Sequence, residues 1–274
     1  MKKYASIFFM ALITLSLILT GCNTAVKDEV TKDNSGSLLF TANGEDFVRE
    51  GFITKDGWSL SFDHVYITLS DITAYQTNPP YEPENGPEIQ AIETVILEKL
   101  YTVDLATGEE DAEPILVGEV KNVPVGHYNA ISWNMLKENN GEFKGYSLVL
   151  LGEAVKDSHT VDFTIKLAPE FSYRGGEFIG DERKGIVTAG DIGDLEMTFH
   201  FDHIFGDGAL PADDELNLGA FGFEPFASLS QDGKLDISMT ELEEQLTAEQ
   251  YQALLKIFPD FGHVGEGHTY SEQL

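Results

Sequence analysis

The stretches Glu196-Met-Thr-Phe-His-Phe-Asp-His203 and Gly262-His-Val-Gly-Glu-Gly-His268 hold four of the chain's seven histidines. Three acids, Glu196, Asp202 and Glu266, lie among them. Imidazole and carboxylate together are the donor set of zinc, which takes four such ligands in a structural site and three plus water in a catalytic one. The same set suits copper(II). Calcium and magnesium prefer shells made only of oxygen. Beyond residue 22 the chain has no thiol and only Met135, Met197 and Met239, a poor supply of soft donors for copper(I). The expected ligands to a divalent transition metal, Zn or Cu(II), are therefore His200, Asp202, His203, His263, Glu266 and His268.

These residues need particular elements to bring them together. Leu195, Met197, Phe199 and Phe201 alternate, which predicts a strand over 195–201 with an apolar inner face. On that strand His200 and Asp202 share the opposite face, about 7 Å apart at the backbone. His203 would point away, so it needs a bend, which Phe205-Gly-Asp-Gly208 can supply as a turn. Gly262, Gly265 and Gly267 allow the second stretch to wrap as a loop and turn His263, Glu266 and His268 inward. Each stretch depends on the other. Alone, the first is a strand end and the second a tail.

Elsewhere the pattern is that of a mainly β protein. Trp58, Leu60 and Phe62 alternate, and Val65, Ile67 and Leu69 continue on the other parity, so a β-bulge is expected near Asp63-His64. Strands are expected at 94–105, 115–120, 146–151 and 159–167. Asn129, Ile131, Trp133 and Met135 mark another. Residues 76–90 hold four prolines and read as a loop, and 172–193 as a long loop or hairpin. Leu216 to Phe226 is expected to cap the end of the sandwich. Ser238-x-x-Glu241 and Thr247-x-x-Gln250 fit capping boxes opening helices at about 239–246 and 248–257. The expected fold is one antiparallel β-sandwich over 38–274, with C-terminal helices at about 239–258 and a histidine-rich tail loop.

The N-terminus reads as an export signal over 1–21. Lys2-Lys3 precedes an apolar run from Ile7 to Leu19, too short for a span of about 20 residues. It ends in Leu19-Thr-Gly-Cys22, which resembles the lipobox of bacterial lipoproteins. That resemblance implies cleavage before Cys22, lipid attachment to it and an anchor on the extracytoplasmic face of a bacterial membrane. Residues 22–37 then form a tether. Cys22 is the only cysteine, so no disulfide can stabilise the fold.

The chain's formal charge is −30, and residues 1–21 carry two lysines and no acids, leaving −32 for the rest. Such a surface repels phosphate backbones and excludes nucleic acid as a partner. The opening Val123-Pro-Val-Gly-His-Tyr128 resembles a strand entry of exported prealbumin-like sandwiches. The whole layout, an exported sandwich with a histidine site, is similar to periplasmic copper-binding proteins associated with methanobactin uptake. No site residue is carried over from that family.

The expected function is metal capture, delivery or structural use of the metal at the cell envelope. The alternative is a surface module binding carbohydrate or protein through Trp58, Trp133 and Tyr128. Nothing signals an enzyme: a Gly-x-Ser-x-Gly elbow, a phosphate-binding loop and a His-Glu-x-x-His helix are all missing. Glu266 or Asp202 acting as base on a metal-bound water is the one hydrolytic route the residues leave open.

Overall fold

The computed structural model describes residues 34–176 and 184–274. The expected signal, Cys22 and most of the tether lie outside these. Among the described residues no helix is long and apolar enough to cross a membrane.

Two sheets make the frame. The larger has nine strands. Its centre is the long strand Ser59–Thr77, which pairs antiparallel with Ala91–Asp104, Ala130–Met135 and Leu148–Lys156 along different parts of its length. The expected bulge is present as a register shift between Phe62 and His64, and it keeps Leu60 and then Val65, Ile67 and Leu69 buried. The smaller sheet has five strands, in the order Gly267–His268, Gly262–Val264, Ile192–Phe199, Ser35–Asn43, Ile115–Pro124. A two-stranded sheet joins Gly126–His127 to Ile186–Val187.

The fold class is that read from the sequence, a mainly β sandwich with a few short helices. Its pairing is not wholly antiparallel. Ser35–Asn43 runs parallel to Ile192–Phe199, and Lys234–Ser238 runs parallel to His159–Leu167. Both pairs join segments distant in sequence, so local turn signals carry no information about them. Two boundaries also move. The first strand begins at Ser35, inside the stretch expected to be tether. Phe171–Gly175 is a strand inside the expected 172–193 loop, paired with both Ala130–Met135 and Tyr270–Gln273.

Apolar inner faces meet between the sheets. Trp133 on the large sheet stands edge-on to Phe199 on the small one at 6.2 Å, and Phe62 meets Phe201 at 6.2 Å. Such aromatic pairs add about 0.5–1.5 kcal/mol each beyond simple burial. Trp58, Trp133 and Tyr128 belong to this core and are buried, so they do not form the contact surface the alternative reading requires. The Tyr128 hydroxyl donates to the Pro124 carbonyl at 2.9 Å, closing the Val-Pro-x-Gly-x-Tyr turn on itself.

The C-terminal helices form as expected at Met239–Gln245 and Ala248–Leu255, and both capping boxes are complete. Leu254 of the second helix and Phe258 just beyond it are fully buried. A short 3-10 turn, Phe258–Asp260, then delivers the chain to Gly262–Val264, which pairs with Ile192–Phe199 in the small sheet. Phe221, Phe223 and Phe226 fill the core around two short helices, Glu215–Gly219 and Glu224–Ala227.

Candidate metal centre

The strand expected at 195–201 ends earlier, at Phe199. His200 and Phe201 leave it and a single helical turn, Asp202–Phe205, follows at once. Phe205 N–H bonds to the Phe201 carbonyl at 3.1 Å, and Gly206 closes the turn with φ +72, a conformation suited to glycine. Asp202 is therefore not a strand-face neighbour of His200. The bend expected at 205–208 comes at 201–202 instead, and it turns both Asp202 and His203 back toward His200. The buried side chains of Phe201, Ile204 and Phe205 supply the reason, since the helical turn buries all three while Phe199 stays in the core.

As a result His200, Asp202 and His203 each offer one ligand atom, all within 4.8 Å of one another. His200 Nδ1 lies 4.0 Å from Asp202 Oδ1.

The tail comes to this place by sheet pairing. Gly262–Val264 adds antiparallel to Ile192–Phe199, with Thr198 opposite His263. The His200 N–H bonds to the Phe261 carbonyl at 3.2 Å, and the Thr198 hydroxyl accepts from Gly265 N–H at 3.1 Å. The His263 ring consequently stacks on His200 at 4.2 Å and stands edge-on to His203 at 5.2 Å. His268 pairs across the turn with His263, ring to ring at 5.0 Å, and is exposed. Glu266 sits exposed in the turn between them and acts on the centre only through its charge.

Tautomers follow from the neighbours. His263 Nε2 is 2.9 Å from the Asp260 carbonyl, and His200 Nε2 is 3.3 Å from the Gly265 carbonyl. A carbonyl only accepts, so in both rings Nε2 carries the hydrogen and Nδ1 keeps its lone pair. His263 Nδ1 and Asp202 Oδ1 are buried and have no hydrogen-bond partner among the described residues. Burial and the adjacent His200 and His203 hold the His263 imidazole down to about 3, so it is a neutral donor throughout the physiological range. His200 is pushed down as well, chiefly by burial and against the pull of Asp202.

One residue of the centre was not legible in the sequence. Glu45 follows the first strand, and that strand's parallel register sets Asn43 beside Thr198. This carries Glu45 Oε1 to 3.7 Å from His200 Nε2. Its backbone has φ +60, unusual for a side chain of that size, and its N–H bonds to the Asn43 side chain at 2.9 Å. Burial, then the charges of Asp202 and Glu266, raise its carboxyl to about 8. No spacing rule could have found it, because the contact depends on a pairing across some 150 residues.

Comparison with protein-family models, curated proteins and solved structures gives no match.

The other three histidines lie elsewhere. His64 Nδ1 bonds Asp104 at 2.7 Å on an exposed strand face. His159 is exposed at the start of its strand, and His127 belongs to the small two-stranded sheet. Glu196 points to neither water nor the centre; it accepts from Asn43 at 3.0 Å and Lys184 at 2.8 Å.

Proposed function

We propose that this protein binds a divalent transition metal, zinc or copper(II), through His200, Asp202, His203 and His263. It does so as a lipid-anchored protein on the extracytoplasmic face of a bacterial membrane, serving metal capture and delivery. The anchor rests on the lipobox-like Leu19-Thr-Gly-Cys22 and the metal on the centre.

The observation that carries the metal reading is the pair of buried imidazoles whose outer N–H groups are held by the carbonyls of Asp260 and Gly265. Backbone acceptors of this kind orient metal-binding histidines and fix which nitrogen is free. Here His200 Nδ1 faces Asp202 Oδ1 at 4.0 Å and the His263 ring packs against His200 and His203, with the buried Asp202 Oδ1 and His263 Nδ1 unpartnered among the described residues. An unsatisfied buried polar atom costs about 1–3 kcal/mol. A cation relieves both atoms at once, because each is an acceptor. The 4.8 Å spread of the His200, Asp202 and His203 ligand atoms exceeds the about 3.4 Å edge of a zinc tetrahedron, so binding would draw these side chains inward.

Elemental analysis of protein purified without chelators or a histidine tag tests this reading. Stoichiometric zinc or copper is expected, with one tight site on titration of stripped protein. Protein that carries no metal and binds neither Zn²⁺ nor Cu²⁺ more tightly than a His200→Ala/His263→Ala variant would sink it.

A further inference from the structure

The centre has a buried and an open side. His200 and His263 are buried, His203 is half-buried, and His268 is exposed. Their rings form a continuous series, with His268 5.0 Å from His263 and His263 4.2 Å from His200. His203 and His268 also line one wall of a cavity of about 360 Å³, whose other walls include Glu215, Lys256, Ile257 and Asp260. The cavity thus joins solvent to the centre on the side where its more exposed imidazoles stand.

His268 differs from the other three histidines in how it is held. It lies on a two-residue strand at the edge of the small sheet, just past a turn through Gly265 at φ +55. Among the described residues no backbone carbonyl accepts from its ring, in contrast to His200 and His263. A side chain so placed is free to change rotamer, which suits a ligand that hands on an ion rather than one that holds it.

An ion entering or leaving a buried site exchanges its ligands one at a time. Each loss is easier when a replacement donor is already within reach. Metal–nitrogen bonds of about 2.0–2.1 Å let one ion bridge two imidazoles whose rings are about 5 Å apart. Glu215 and Asp260 outweigh the single positive charge of Lys256 in the cavity wall, and the strongly acidic chain adds a field that gathers cations.

We propose that His268 is the entry ligand of the centre and the cavity its vestibule. This rests on the metal reading above. A Zn²⁺ ion presented by a small chelating donor binds His268 as a donor bond to the carrier breaks. Its bonds to His203, His263, His200 and Asp202 then form one at a time, each as a bond to the carrier, to a water or finally to His268 breaks. No electron changes hands.

Stopped-flow transfer of Zn²⁺ to and from a chromophoric chelator, using the full chain, tests the idea. For His268→Ala both transfer rates should fall at least about tenfold while Kd stays within about threefold, a kinetic effect without an equilibrium one. His263→Ala should instead lose affinity. Unchanged rates in His268→Ala would make the residue a bystander. A Kd weakened tenfold or more with entry rate unchanged would make it an ordinary equilibrium ligand. Either result overturns the proposal. Failure of the metal reading itself is distinguishable, because wild-type protein would then take no Zn²⁺ from the chelator at all.

Discussion

The rings of His200 and His263 stack at 4.2 Å with 28° between their planes, and each donates its Nε2–H outward to a backbone carbonyl. Two strands that never meet in sequence are thereby tied at the point where both Nδ1 lone pairs are free. The neighbouring Phe261 packs on Phe199 at 5.6 Å and on Phe201 at 5.2 Å, so the residues flanking both histidines are held in the core.

Removing either ring should cost binding heavily. His200→Ala and His263→Ala are each expected to weaken Zn²⁺ at least about 100-fold, beyond the 10–100-fold typical of losing an outer partner of a ligand. Competition with a chromophoric chelator measures it. A loss under tenfold in both variants would mean that these rings do not ligate.

Metal should stabilise the fold. At a free ion concentration of 100 Kd the gain is about 2.7 kcal/mol. At about 2–4 °C per kcal/mol this raises Tm by roughly 5–10 °C in a chain of this size. Calorimetry with and without EDTA reads the shift, and equal midpoints would contradict a native-state site.

In stripped protein the centre should impose a pH dependence of two opposite signs. Glu45 has its carboxyl raised from 4.5 to about 8, so the folded state holds a proton that the unfolded chain has released. Stability from that neutral carboxyl is full below about 4.5 and is lost as pH rises through about 8. His263 is lowered from 6.5 to about 3. The unfolded chain takes up that proton first, so stability falls as pH drops below about 6.5. The stability difference between Glu45→Gln and wild type should therefore grow from pH 5 to pH 8.5, as followed by urea denaturation in EDTA. A difference independent of pH would show that Glu45 is ionised in the fold throughout.

Gly262 should tolerate no side chain. A Cβ there would lie 2.9 Å from Tyr173 Cδ1 and 3.1 Å from Trp133 Cζ2, both in fully buried rings. Gly262→Ala is expected to cost about 1–3 kcal/mol by overpacking. It should also weaken Zn²⁺, because the displaced strand carries His263. Wild-type stability and affinity together in this variant would mean that the strand sits less closely than described.

Much of the frame was legible because it rests on local periodicity. The alternation at His159–Leu167, the parity change near His64 and the two capping boxes each reflect interactions within a few residues. The two parallel pairings and Glu45 were not legible, since partners so far apart leave no mark on local pattern. The helical turn at Asp202–Phe205 was missed for another reason. Period-two apolar spacing through Phe201 continued to read as strand, while burial of Ile204 and Phe205 required the turn.

The sequence by itself determined a mainly β chain, the donor types and the two segments that carry them. These follow from composition, short-range spacing and charge. Only the tertiary structure decided that His200, Asp202, His203 and His263 meet, that His268 stands at the open side and Glu266 apart, and that Glu45 joins them. The physical reason is the pairing of the tail strand and the first strand on either side of Ile192–Phe199. Those two long-range pairings exist because all three strands bury apolar faces against the larger sheet, and the centre forms where their ends coincide.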